Sequence, residues 1–150
     1  MRVIIIGLGN AVLADDSAGV LVARSLQQKI QRSDVTIVEA TVAGLDVLNL
    51  ITDYEKAIII DAIQSGQGKA GTVYRLKPEQ ISSYHNASPH DIDFITALEL
   101  GKKTGMSLPE DILIFAIEAG DVESVREECT PEVSAASPRC VEMICQELCS

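Results

Sequence analysis

The sequence predicts an α/β fold: a single three-layer domain, residues 1–150, with a mostly parallel, twisted five-stranded sheet flanked by helices. Three observations predict it. Residues 3–6, 35–38, 57–60 and 112–117 are continuous apolar runs of strand length, the pattern of strands covered on both faces. Segments with helical spacing lie between the first three of these runs. The chain has 150 residues and no repeat, low-complexity stretch or linker to divide it, which is the size of one domain with a sizeable core.

The first run enters Gly7-Leu8-Gly9-Asn10, where glycine permits a tight turn and a close backbone approach. Val20, Val22, Ala23 and Leu26 follow at helical spacing, and Val47, Leu48 and Ile51 repeat that pattern after the second run. The resulting β-α-β-α-β order implies a doubly wound sheet. Ser65-Gly66-Gln67-Gly68 then turns into residues 71–76, whose partial alternation marks an edge strand or a hairpin arm. Ser88-Pro89-His90 opens a helix in which Ile92, Ile95 and Leu98 recur, with Ser88 as N-cap, Pro89 at the first position and Gly101 as the stop. Thr130-Pro131 starts the last helix by the same logic. Its apolar face is Val133, Ala136, Val141, Ile144, Cys145 and Leu148, with a kink or restart near Pro138.

With 22 acidic against 12 basic residues the formal charge is −10, which sets the surface against phosphate backbones and anionic lipid. No nucleic acid and no membrane are expected as partners. The apolar run after Met1 and Arg2 is too short for a signal segment or a membrane span, so the reading is a cytoplasmic protein. The four cysteines, Cys129, Cys140, Cys145 and Cys149, cluster late in the chain and form no C-x-x-C pair, although Cys145 and Cys149 share a helix face. They read as plain reduced thiols.

Several residues have the chemistry of a site. A dinucleotide fingerprint would need glycine where Val12 stands, although Gly7, Gly9 and a ribose-binding acid at Glu39 are in place, so that fingerprint is half complete. Asp15 and Asp16 fall at the mouth of the first helix, where capping alone accounts for acids. Asp61 follows three isoleucines at the carboxyl end of the third strand, where an ionised group needs a cation or hydrogen-bond donors, and loop amides would serve. His90 sits at a helix N-terminus, which keeps imidazole neutral and able to bind metal, whereas His85 has no such setting and reads as a surface residue. Parallel topology brings the loops of Asp16, Asp61 and His90 to one sheet edge, as an O,O,N set for a borderline divalent ion with positions left open. Zinc, manganese, iron and nickel all suit that set. The chain has neither G-x-S-x-G nor H-E-x-x-H, so any hydrolysis would be metal-assisted.

The combination of Gly7-Leu8-Gly9-Asn10 with Asp15-Asp16, Ile60-Asp61-Ala62-Ile63, Ser88-Pro89-His90 and Thr130-Pro131-Glu132-Val133 resembles the hydrogenase maturation endopeptidases over essentially the whole chain. That resemblance implies a nickel-dependent endopeptidase. Its partner would be a [NiFe] hydrogenase large-subunit precursor, from which it removes a C-terminal extension once nickel is in place. Carried over residue by residue, the metal-contacting and catalytic positions fall on Asp16, Asp61 and His90, with the nickel supplied by the substrate's own active site. Asp16 is a glutamate in some relatives. The segment Glu39-Ala40-Thr41-Val42-Ala43-Gly44 departs from an aspartate-and-glycine pattern that others have there. The same ligands would equally serve a metal-sensing chaperone that holds the precursor without cutting it.

Overall fold

Apolar runs without polar alternation need cover on both faces, and the computed structural model provides it for β1 (Val3–Leu8), β3 (Lys56–Ile63) and β5 (Asp111–Glu118), while β2 (Val35–Ala40) and β4 (Val73–Leu76) are half-buried with exposed residues. The structure describes residues 1–10, 12–41, 45–83, 89–125 and 128–149. The strands form one sheet in the order β2-β1-β3-β5-β4. β2, β1, β3 and β5 are parallel, and β4 runs antiparallel to β5 at the edge. Helices α1 (Ala18–Lys29), α2 (Leu45–Ile51), α3 (Pro89–Lys103) and α4 (Pro131–Cys149) complete the fold.

Side chains alternate between the two faces of each strand, so each strand feeds two cores. Ile5, Ile58, Ile60, Phe115 and Ile117 pack with Val22 and Leu26 of α1 and with Val133, Ala136, Cys140 and Ile144 of α4. Ile4, Ile6, Ile59, Ile63 and Ile114 pack with Val47, Leu48 and Ile51 of α2 and with Phe94, Ala97 and Leu98 of α3. This is the three-layer arrangement expected from the sequence. Each fully buried aliphatic or phenyl side chain contributes about 1.5–3 kcal/mol. Among the described residues no helix is long and apolar enough to cross a membrane.

The structure departs from the sequence reading in several places. Of the two readings of residues 71–76, the edge strand holds and the hairpin arm does not: β4 lies at the sheet edge and pairs with β5, not with its neighbour in sequence, β3. Gly101 does not end its helix, because α3 continues to Lys103 and the chain turns at Gly105, whose φ of +80° suits glycine. Gly101 instead makes room for α2, since a Cβ there would lie 2.9 Å from Leu48 Cδ2. No new helix begins at Pro138; α4 runs through it as one element. Ser88 and His85 lie outside the described residues.

The amino ends of the strands are tied together by charge. Lys56 Nζ lies 3.2 Å from both Asp111 Oδ2 and Glu147 Oε2, and Arg75 Nη2 lies 2.6 Å from Glu147 Oε1. This network fastens the end of α4 beneath the sheet and leaves the carboxyl ends of the strands open for other work.

Candidate active site

Strand order reverses between β1 and β3: the chain leaves β1 for β2 on one side, then crosses back to β3 on the other. In open α/β sheets, ligands bind beyond the carboxyl ends of the strands at this switch. Asp16 and Asp61 both belong to elements that end there. The register pairs Gly7 with Ile60, so Asp61 comes one residue beyond the last β1–β3 pair.

Glycines allow the crowding at this point. A Cβ on Gly7 would lie 2.7 Å from Ala23 Cβ and closer still to the Gly19 carbonyl oxygen. A Cβ on Gly19 would in turn collide with the carbonyl oxygens of Leu8 and Ile60, so α1 crosses the ends of β1 and β3 backbone against backbone. The close helix–strand approach thus falls to Gly19, while Val12, standing at the third position of the half-complete fingerprint, is exposed. Glu39 does not await a ribose. It makes a bidentate pair with Arg24 of α1, at 3.0 and 3.1 Å.

Asp15 and Asp16 precede α1 in a 3-10 turn, Ala14–Ser17, and neither carboxylate caps the helix; Ser17 is the N-cap residue and makes no side-chain cap bond. The turn packs against β3. Asp16 is half-buried, its Oδ2 accepts the Asn10 N–H at 2.9 Å, and among the described residues Oδ1 has no hydrogen-bond partner. Asp61 is fully buried within β3, two residues short of its end, and its Oδ1 accepts the Ala62 N–H at 2.9 Å. His90 is the second residue of α3, as its place at a helix mouth requires, but its side chain lies outside the described residues.

Two further buried carboxylates share this edge, and sequence reasoning assigned neither a role. Asp15 is completely buried and accepts N–H bonds from Gly120, Asp121 and Thr130 together with the Thr130 hydroxyl. Glu118, the last residue of β5, is 3% exposed and accepts the Ser65 N–H, the Ser65 hydroxyl and the Tyr74 hydroxyl. An acid ending a strand of isoleucines was the available signal for Glu118, as it was for Asp61. For Asp15 the signal was the Thr-Pro pair that starts α4.

The model of the HycI family, hydrogenase maturation protease, matches residues 20–147 of this chain. The chain belongs to the hydrogenase maturation protease family. It is 27% identical over 147 residues to the hydrogenase 2 maturation protease of Escherichia coli strain K12, across 96% of this chain and 88% of that protein. Among solved structures, the hydrogenase-maturating endopeptidase HybD from E. coli superposes with a TM-score of 0.87 at 28% identity, covering 99% of this chain and 92% of that one. The [NiFe] hydrogenase maturation protease HybD from Thermococcus kodakarensis gives 0.76 at 26% identity, with both chains covered completely. As a maturation protease the chain is a hydrolase, and the five-stranded, mostly parallel sheet is the fold of these relatives. The matched span includes Asp61, His90 and Thr130 and begins just after the 3-10 turn.

Proposed function

We propose that this chain is a nickel-dependent endopeptidase. It removes the C-terminal extension of a [NiFe] hydrogenase large-subunit precursor after nickel insertion, contacting the precursor's nickel through Asp16, Asp61 and His90. The observation that carries the reading is that the turn bearing Asp16 packs against β3, the strand bearing Asp61, at the switch point between β1 and β3. Family membership supplies the reaction class.

The donor set suits the cargo. Two carboxylates balance the charge of a divalent cation, and an imidazole adds a borderline nitrogen that nickel accepts readily. The 3-10 turn holds Asp16 through the Asn10 amide on one oxygen and leaves the other for the ion. Asp61 offers a buried carboxylate, where a bound cation offsets the cost of removing the charge from water. Because the ion arrives inside the substrate, a precursor without nickel offers these side chains nothing to hold. Selectivity for the loaded form follows from that difference in affinity.

The test incubates the purified protein with nickel-loaded and nickel-free precursor and reads the C-terminus by intact-mass spectrometry. Shortening of the loaded form alone is expected, and Asp16→Ala, Asp61→Ala and His90→Ala should each abolish it. Full cleavage by any variant removes that residue from the site. Binding of the loaded precursor without cleavage would mean a metal-sensing chaperone.

A further inference from the structure

Two motifs from opposite ends of the sequence, Asp15-Asp16 and Thr130-Pro131, are hydrogen-bonded to each other. Asp15 Oδ1 accepts the Thr130 N–H at 2.6 Å and the Thr130 hydroxyl at 3.0 Å. Its Oδ2 accepts the N–H groups of Gly120 and Asp121 at 2.8 and 2.9 Å, and the same hydroxyl at 2.9 Å. The Asp15 N–H donates to the Asp121 carbonyl at 2.7 Å. One carboxylate thus grips the start of the segment that leaves β5 and the residue that opens α4. In between, Val125 bridges back to Leu13.

The next residue is Asp16. Its backbone N–H bonds to Leu13, its carbonyl fills the space where a Cβ on Gly9 would stand, and its carboxylate takes the Asn10 N–H. The turn that presents Asp16 is therefore held on one side at Gly9 and Asn10, just after β1, and on the other by Asp15, by the Leu13–Val125 bridge and by Cys129, whose thiol meets the Ala14 carbonyl and the Ser17 hydroxyl; of these, Asp15 makes the most hydrogen bonds and adjoins Asp16 directly. We infer that Asp15 is a positioning residue for the processing reaction: its clamp on Gly120, Asp121 and Thr130 sets where Asp16 stands. This rests on the reading of Asp16 as a contact to the precursor's nickel.

All of the partners of the Asp15 carboxylate act as donors to it, so an asparagine there sets its amide NH₂ against at least one N–H in either orientation. The experiment compares wild type with Asp15→Asn, Thr130→Val and Thr130→Ser by two readouts. Amide hydrogen exchange at Asn10 and Asp16, referenced to the β1 and β3 interior, should accelerate on the order of tenfold or more in Asp15→Asn, since bonds to a charged group are lost. At a temperature where every variant is folded, kcat for cleavage of nickel-loaded precursor should fall about 10- to 100-fold, with KM changing less, as for other supports of metal-contacting groups. Thr130→Ser, which keeps the hydroxyl, should process like wild type, and Thr130→Val should lie between.

A purely structural role would lower the melting temperature and leave kcat of the folded enzyme unchanged, and that result overturns the inference. So does unaltered exchange at Asn10 and Asp16, a readout that stands even if the wild type fails to cleave and the protease reading itself falls. If Asp15→Asn does not fold, Thr130→Val carries both readouts.

Discussion

Gly19→Ala places one methyl group where the backbone leaves no room for it. The new Cβ would lie 2.6 Å from the Leu8 carbonyl oxygen, about 0.8 Å short of the 3.4 Å of ordinary contact, and closer still to that of Ile60. Both obstacles are backbone atoms within β1 and β3, so relief falls on α1, which must rise from the sheet. Overpacking of this kind costs about 1–3 kcal/mol. Alanine's better helix propensity returns at most about 1 kcal/mol. A net loss of about 1–2 kcal/mol lowers the thermal midpoint of a domain this size by roughly 2–8 °C. The displacement also carries the adjoining turn and Asp16 with it, and misplacement on the ångström scale costs on the order of 100-fold in rate. Calorimetry gives the midpoint, and initial rates on nickel-loaded precursor give the activity. Ser25→Ala, exposed on the same helix, controls for propensity and should leave the rate unchanged and the midpoint unchanged or slightly raised. A Gly19→Ala protein with the wild-type midpoint and the wild-type rate would refute the argument that backbone contact between α1 and the sheet positions the site.

Two further outcomes test the packing. Burial acts to raise the pKa of Glu147, but its hydrogen bonds from Arg75 and Lys56 outweigh that and hold the carboxyl below its ordinary value of 4.5. A depressed folded value gives stability above 4.5 that is lost as pH falls through the folded pKa. Glu147→Gln should therefore be less stable near neutrality by on the order of 1 kcal/mol, with the gap closing as the pH drops below 4.5 in urea titrations. In thiol labelling of the native protein at mildly alkaline pH, exposed Cys149 should react first and half-buried Cys145 more slowly, with Cys129 and Cys140 reacting only on unfolding. Burial pushes the Cys140 thiol up to about 12, so fast labelling there would mean that α4 lifts from the sheet.

Much of the fold was legible because it depends on local pattern. Unbroken apolar runs marked the buried parallel strands, and the spacing of Val20, Val22, Ala23 and Leu26 marked the face of α1, all of which is buried. Strand ends were less legible, since Lys56, Asp61 and Glu118 are polar residues inside strands, and Lys56 and Glu118 are held by partners remote in sequence. Gly101 resembled a stop because glycine ends helices, yet its missing side chain serves the contact with α2. At the site, Asp61 stood out by its position after three isoleucines, and Asp16 by its company with Asp61 and His90 and by the family resemblance. Asp15 did not, because an acid before a helix has a sufficient local explanation in capping and its actual partners lie 105 to 115 residues away. Cys140 was likewise left off the apolar face of α4 although it is fully buried there.

The separation between Asp15 and Thr130 also bears on the order of events during synthesis. Contacts between residues so distant in sequence form late, after nearer pairings have reduced the entropy of closing the chain. β1, β2 and β3 can pair while the ribosome is still adding residues, but Asp15 acquires its Thr130 partner only when residue 130 has emerged. A nascent chain therefore carries the Ala14–Ser17 turn before its distant anchor exists, and that anchorage is completed only as the last helix is made.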